Sequence, residues 1–138
     1  MFYLDASVVV ASVARELRTT DVQQWWEKQQ SDITFSSWTL TESISALSVR
    51  LRRGTLTAEE KQNAVRFVRR IPNSYQRVPI TEAHFLSAVR YADQHELALR
   101  SGDAPHVAIA ADFEQTLVTL DKTMAAAATR LGIAVLLL

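Results

Sequence analysis

Five short apolar segments recur along the chain, and longer segments with helical periodicity separate them. Short apolar runs between turn residues are typical of buried strands, whereas apolar residues at three- and four-residue intervals are typical of helices. Alternation of the two favours a mostly parallel sheet with right-handed crossovers. The sequence therefore predicts an α/β fold, a three-layer α/β/α domain on a mostly parallel five-stranded sheet. The predicted strands are Met1–Leu4, Ile33–Phe35, Arg77–Ile80, Leu117–Leu120 and Ile133–Leu138.

Capping and helix-ending residues mark the segments between the strands. Ser7 is a candidate N-cap for the first helix, and Thr57 with Glu60 has the spacing of a capping box. Gly54 and Pro72 are placed to end helices. The predicted helices are Val8–Leu17, Asp21–Gln29, Trp38–Arg53, Thr57 to about Ile71, Thr81–His95, Ala104–Phe113 and Lys122–Arg130.

Length and composition bound the remaining possibilities. The 138 residues suit one domain, and no linker, repeat or low-complexity tract divides them, so we expect a single domain over residues 1–138. The chain has no cysteine, which excludes disulfides and thiolate metal sites. The apolar runs are too short to span a membrane, and the first residues, MFYLDAS, do not resemble a signal peptide. We therefore expect a cytoplasmic protein.

Charge gives a weaker indication about partners. Lys plus Arg and Asp plus Glu both number 15, so the formal net charge is zero. Nucleic-acid binders are more often basic, because neutralising phosphates supplies much of their affinity. The balance counts against a nucleic-acid partner unless bound metal ions neutralise several of the acids, which would leave a basic remainder.

Four acidic residues fall where an α/β fold places its binding crevice. Asp5 and Asp121 each follow an apolar strand, Asp103 begins a helix after a glycine turn, and Glu42 lies early in the helix after strand two. Ligands of open α/β sheets bind beyond the carboxyl ends of the strands. Four carboxylates there would repel unless a hard divalent cation offset their charge. Such ions activate water for phosphoryl chemistry, so the pattern predicts a metal-dependent phosphodiesterase or phosphatase.

Each of these acids also has a purely structural interpretation. Asp103 and Asp121 are placed to cap helices, and Glu42 is an early-helix acid of the kind that the helix dipole favours. Only the convergence of all four on one edge of the sheet favours the catalytic interpretation. A non-catalytic interaction module, in which the acids serve as caps, therefore stays open.

Four segments of the chain resemble the motif blocks of PIN domains. They are YLDAS at 3–7, TLTE at 39–42, LRSGDAPHVAIA at 99–110 and LVTLDKTMAAAATRLGI at 117–133, and they are most similar to VapC toxins of bacterial toxin–antitoxin pairs. The resemblance implies a PIN-like domain and an endoribonuclease, dependent on Mg²⁺ or Mn²⁺, that cuts structured RNA such as tRNA or rRNA. It also implies a homodimer that a cognate VapB-type antitoxin holds inactive.

The resemblance carries over to individual residues. It implies that Asp5 and Asp121 bind the metal directly, that Asp103 binds it directly or through water, and that Glu42 positions the ion or acts as a base. Ser7 and Thr119 stand where the family often has a hydroxyl that orients the acids or a metal-bound water. Two positions depart from the family pattern: Pro105 replaces a Leu, Ile or Ala, and Thr123 replaces an acid or amide found in some relatives. The second departure favours one firmly held ion over two.

Other polar and aromatic residues have competing interpretations. His106 lies three residues after Asp103, but hard cations prefer oxygen, so we expect a packing and hydrogen-bonding role. His84 and His95 have no acidic partner at a telling spacing. The arginines around Arg50 either form a solvated surface or follow RNA phosphates beside the crevice. The tryptophans are expected in core, dimer or antitoxin contacts, with stacking on bases as the alternative; they are Trp25, Trp26 and Trp38.

Two rival functions stay open from the sequence. A PIN nuclease of RNA processing would share the site but lack an antitoxin, and an antitoxin reading frame directly upstream would favour the toxin. An interaction module would bind no metal appreciably, which calorimetry with Mn²⁺ can test.

Overall fold

The computed structural model describes residues 1–14, 17–29 and 32–138 and contains a five-stranded sheet in which every strand pair is parallel. In sequence the strands are β1 (Phe2–Leu4), β2 (Ile33–Phe35), β3 (Gln76–Arg77), β4 (Thr116–Thr119) and β5 (Val135–Leu137). Their spatial order is β3-β2-β1-β4-β5, with β1 at the centre. The predicted α/β fold is confirmed, and the described sheet is parallel throughout.

The helices follow the strands in the predicted alternation. They are α1 (Ala6–Val13), α2 (Thr19–Lys28), α3 (Ser37–Arg52), α4 (Ala58–Val68), α5 (Ile71–Ser74), α6 (Glu82–Asp93), α7 (Asp103–Asp112) and α8 (Lys122–Arg130), with a short 3₁₀ turn at His95–Leu97.

Two hydrophobic cores lie on opposite faces of the sheet. Leu4 and Val118 belong to the core shared with α1 to α4, whereas Tyr3 and Leu117 belong to the core shared with α6, α7 and α8. Successive side chains of a strand point to opposite faces, so neighbouring residues of β1 and β4 supply both cores. This arrangement explains why the strands are apolar without alternation, and it gives the three-layer architecture that the sequence predicts.

The start of α1 differs from the prediction. Asp5, not Ser7, is the N-cap, and its carboxylate accepts a hydrogen bond from the Val8 backbone N–H at 3.1 Å. The helix therefore begins at Ala6, two residues earlier than predicted, and it ends at Val13, because Ala14 has extended dihedral angles. The prediction that it reaches Leu17 is wrong at Ala14, and residues 15 and 16 lie outside the described part of the chain.

The third strand and the helix before it also differ from the prediction. The strand is Gln76–Arg77 rather than Arg77–Ile80, because β2 ends at Phe35 and Pro79 has no N–H to donate. The α4 helix ends at Val68 instead of Ile71. Pro72 then lies in the first turn of α5, where its missing N–H costs little, so it begins a helix instead of ending one.

Among the described residues, no helix combines the length and the apolar character that crossing a membrane would require.

The capping box of Thr57 and Glu60 is present at the start of α4, as predicted.

The core predicts a large difference between two identical substitutions. Leu47 on α3 is fully buried, whereas Leu17 is fully exposed. Leu47→Ala should lower the free energy of unfolding by about 3 kcal/mol, since it removes buried methyl groups and leaves a cavity. Leu17→Ala is the control, and in urea denaturation it should change the free energy of unfolding by less than about 0.5 kcal/mol. Equal effects of the two substitutions would contradict this description of the core.

Candidate active site

An open cavity of about 630 Å³ lies beyond the carboxyl ends of β1 and β4. All four acids singled out from the sequence line it, although they come from distant parts of the chain: Asp5, Glu42, Asp103 and Asp121. Asp5 follows β1 and Asp121 follows β4, so the parallel pairing of these central strands brings their ends to the same edge. Glu42 lies on α3, and Asp103 is the first residue of α7.

Asp5 is the buried acid of this cavity, with only 2% of its surface exposed. Its carboxylate accepts hydrogen bonds from the Thr119 hydroxyl at 2.8 Å and from the Val8 N–H at 3.1 Å. The Ser7 hydroxyl lies 2.7 and 2.9 Å from its two oxygens. Burial raises the pKa of Asp5 above its usual range, although His106 and these hydrogen bonds act in the opposite direction. A nearby cation would offset the cost of keeping this group ionised.

The two hydroxyls that hold Asp5 are themselves fixed by the backbone. Ser7 Oγ accepts a hydrogen bond from the Leu120 N–H at 2.9 Å, and Thr119 Oγ1 accepts one from the Asp121 N–H at 2.9 Å. Because each oxygen accepts from the backbone, its own hydrogen is free to point at the carboxylate. The structure thus brings Ser7 and Thr119, the two supporting residues of the sequence analysis, into direct contact with Asp5.

Asp121 combines a capping role with a place in the cavity. Its Oδ1 accepts hydrogen bonds from the backbone N–H groups of Thr123 and Met124, at 2.7 and 3.0 Å, and so caps α8. Its Oδ2 accepts a hydrogen bond from Arg100 Nη2 at 3.0 Å. The capping interpretation of Asp121 is therefore correct, and it leaves one carboxylate oxygen available for other contacts.

Asp103 is not the N-cap of its helix, so the capping interpretation of this residue is wrong. Gly102 occupies the N-cap position of α7, and Asp103 follows it as the first helical residue. The Asp103 carboxylate is bound by Arg100 Nε at 3.1 Å, and its side chain is 16% exposed. Its oxygens are therefore free of backbone capping and available to the cavity.

Arg100 joins these two acids, and its place in the site was not predicted from the sequence. Its guanidinium reaches Asp103 with Nε and Asp121 with Nη2, and both carboxylates raise its pKa. The only signal in the sequence is the three-residue spacing to Asp103, which is common for surface ion pairs and does not point to a site.

Glu42 is held by the buried His106. The His106 Nε2 and Glu42 Oε2 atoms are 2.7 Å apart, and Nδ1 of the same ring lies 3.0 Å from the Tyr3 hydroxyl. His106 is fully buried, so the expected packing and hydrogen-bonding role fits its position. Gly102 packs beside this pair: a Cβ added there would lie 2.5 Å from Glu42 Oε1. The glycine leaves the space that the glutamate occupies.

A buried polar network supports this pair from the core. The Tyr3 hydroxyl lies 2.8 Å from Ser36 Oγ, and Ser36 caps α3 together with Thr39. The Thr39 hydroxyl donates to the Leu4 carbonyl at 3.0 Å, which ties the start of α3 to the end of β1. Burial raises the pKa of Tyr3, so its hydroxyl keeps its proton. The orientation of Glu42 thus depends on residues that the sequence alone did not connect to it.

The donor set suits a hard divalent cation. The cavity has carboxylate oxygens from all four acids, and the chain supplies no thiolate. Arg100 already acts as a cation between Asp103 and Asp121, which shows that this position accepts positive charge. In residues 1–14, 17–29 and 32–138, no three acidic or histidine side chains are close enough to hold one ion together. The residues present therefore fit the ion in chemistry, and their side chains would have to move to bind it.

The histidine, tryptophan and arginine residues with competing interpretations in the sequence have varied positions in the structure. His84, to which we assigned no acidic partner, has Nε2 at 3.1 Å from Asp112 Oδ2 and lies away from the cavity. Trp38 donates from Nε1 to the Gly102 carbonyl at 3.0 Å, and Trp26 is buried in the core on the α1–α4 side. Arg50 lines the cavity. Sequence spacing could not reveal the His84 partner, because Asp112 lies on a different helix.

Comparison with known proteins supports the same fold. The family model of the PIN domain matches residues 2–130. No curated protein matches the chain in sequence. VapC20 of Mycobacterium tuberculosis, a sarcin–ricin loop cleaving toxin, has a TM-score of 0.73 and 16% identity over 92% of this chain and 95% of that chain. FitAcB from Neisseria gonorrhoeae has a TM-score of 0.70 and 21% identity, and the match covers 98% of this chain and 96% of that chain. A toxin–antitoxin complex from Klebsiella pneumoniae has a chain with a TM-score of 0.65 and 17% identity over 91% of both.

The hydrogen bonds around Asp5 predict a stability effect that needs no assay of activity. Ser7→Ala removes a donor to a buried carboxylate and the acceptor of the Leu120 N–H. It should lower the free energy of unfolding by about 1–3 kcal/mol in urea denaturation at neutral pH. Ser45→Ala is the matched control, because Ser45 lines the same cavity but is exposed on α3, and it should have little effect. A Ser7→Ala protein as stable as the control would contradict the role given to this hydroxyl.

Proposed function

The chain belongs to the PIN domain family, and on this basis we propose that it is a metal-dependent endoribonuclease of the VapC toxin type. One observation carries the proposal: four carboxylates from four separate segments line one cavity at the carboxyl edge of the sheet. Glu42 and Asp103 are not N-caps of their helices, so capping does not account for their place in this cavity. The convergence therefore favours a nuclease over an interaction module.

We propose that Asp5, Asp103 and Asp121 hold Mg²⁺ or Mn²⁺, with Glu42 beside them. A bound ion of this kind lowers the pKa of a water molecule and stabilises negative charge on a phosphodiester. Asp5 suits a direct ligand, because hydroxyls fix its carboxylate and burial makes a positive neighbour favourable. Asp121 keeps Oδ2 free of helix capping, which suits a second ligand.

Glu42 suits a role in positioning the ion or accepting a proton from water. If the Tyr3 hydroxyl donates to His106 Nδ1, then Nε2 carries the hydrogen and donates to Glu42 at 2.7 Å. That hydrogen bond would fix the direction of the Glu42 carboxylate, which lines the cavity. His106 would then be a positioning residue that acts through Glu42.

RNA is the proposed substrate, with tRNA or rRNA as the expected class. Arg50 and Arg100 line the cavity beside the acids, so they are placed to contact the phosphates of a bound strand. The structurally similar VapC20 is a toxin that cleaves the sarcin–ricin loop. An RNA substrate of this class would place the protein in the cytoplasm.

A cognate VapB-type antitoxin and a homodimer are the proposed partners. The similarity to a chain of a toxin–antitoxin complex supports the first. For the second, Phe85, Leu86 and Val89 form an exposed apolar patch on α6, which we call the α6 patch. Trp38 packs edge-on against Phe85, with ring centroids 6.0 Å apart, and extends the apolar surface toward α3. Contiguous apolar surface of this kind marks protein interfaces.

Loss of the Asp5 charge should abolish the proposed reaction. Asp5→Asn should reduce the rate of RNA cleavage with Mg²⁺ or Mn²⁺ at least about 100-fold, since a neutral amide cannot offset a divalent cation. Calorimetry should also show that the Asp5→Asn protein binds Mn²⁺ more weakly than the unmodified protein does. Asp93→Asn, at an exposed position on α6, is the control and should retain both properties. Cleavage by the Asp5→Asn protein at the full rate, or cleavage in excess EDTA, would defeat the mechanism.

The α6 patch should control the oligomeric state. Leu86→Glu places a charge within the patch and should convert a dimer to a monomer in light scattering coupled to size exclusion. Leu17→Glu is the control at an exposed leucine outside the patch and should leave the mass unchanged. A dimer that persists in the Leu86→Glu protein would show that the α6 patch is not the interface.

A further inference from the structure

The guanidinium of Arg100 contacts two carboxylates of the cavity at once, Asp103 and Asp121. Its guanidinium lies 3.1 Å from Asp103 Oδ2 through Nε and 3.0 Å from Asp121 Oδ2 through Nη2. These are two of the acids to which we assign metal binding. One cationic side chain therefore bridges a pair of carboxylates, one in the first turn of α7 and one at the N-cap of α8.

The backbone of Arg100 is held by hydrogen bonds, whereas its side chain is exposed to solvent. The Arg100 carbonyl accepts hydrogen bonds from the N–H groups of Asp103 and Ala104, both at 3.1 Å, so its Cα position is fixed before α7. Its side chain is 75% exposed, against 16% for Asp103 and 24% for Asp121. The guanidinium can thus leave for solvent without disturbing the core, whereas the acids stay in the cavity.

A guanidinium and a divalent cation compete for the same two oxygens. Both are positive, and like charges a few ångströms apart repel strongly in a partly enclosed site. We infer that Arg100 is an internal counter-cation that occupies Asp103 and Asp121 until a divalent ion binds, and that it must vacate them for binding to be complete. This inference rests on the proposed function, because it takes Asp103 and Asp121 as metal ligands.

The ion pairs of Arg100 bear on the affinity of the site for a metal ion. Energy that Arg100 contributes to the ion-free state is lost when the metal binds, so Arg100 weakens the affinity for the ion. The contribution of exposed ion pairs is small, so the expected effect is about fivefold rather than several orders of magnitude. Arg100 would then raise the ion concentration at which the site fills.

Calorimetric titration of the metal-free protein with Mn²⁺, without RNA, tests this inference. Arg100→Ala should bind Mn²⁺ about fivefold more tightly than the unmodified protein. Arg100→Gln should do the same and serves as a second variant with a longer side chain. Arg100→Lys keeps the charge but cannot bridge two carboxylates in the same way, so it should tighten binding less.

A matched control distinguishes competition between Arg100 and the metal ion from a general effect of nearby positive charge on metal affinity. Lys122→Ala removes the same charge from an exposed residue directly after Asp121 and should change the affinity less than twofold. Equal or weaker Mn²⁺ binding by both the Arg100→Ala and Arg100→Gln proteins would overturn the inference, as would equal tightening by Lys122→Ala. If the unmodified protein binds no Mn²⁺, the proposed function itself fails. If it binds Mn²⁺ and the Arg100 variants bind no tighter, only the role of Arg100 fails.

Discussion

The buried carboxylate of Asp5 is the group around which the rest of the site is arranged. A negative charge that is almost removed from water needs several donors, and here they come from Ser7, Val8 and Thr119. These contacts join β1, α1 and β4 at one point. The Ser7 and Thr119 hydroxyls also bind the backbone after β4, so the same hydrogen bonds fix the loop that carries Asp121. Structure and proposed chemistry therefore depend on the same few groups.

The parallel sheet determines where these groups meet. With β1 between β2 and β4, three consecutive C-terminal strand ends open onto one edge, and the helices after them start there. Glu42 and Asp103 reach the same cavity from the starts of α3 and α7, which pack on opposite faces of the sheet. The Tyr3, Ser36 and Thr39 network crosses between these layers and holds His106 against Glu42. A rigid polar core thus lies directly under a cavity rich in acidic side chains.

Two different kinds of side chain hold the acids at this edge. Glu42 is paired with a buried histidine, whereas Asp103 and Asp121 are paired with a solvent-exposed arginine. The first pairing is enclosed by the core and the second is open to solvent. This difference explains why we assign a fixed positioning role to His106 and an exchangeable one to Arg100.

Sequence by itself determined the α/β class, the succession of the five strands and of every described α-helix except α5, and the acidic residues that line the cavity. It could do so because burial periodicity, caps and the strand-end positions of Asp5 and Asp121 are local properties of the chain. Only the tertiary structure decided that Asp5 rather than Ser7 caps α1, that Gly102 makes room for Glu42, and that Arg100 bridges Asp103 and Asp121. Those contacts join residues on different elements or depend on side-chain direction. Sequence spacing carries no information about either, because packing of the whole fold sets the distances between them.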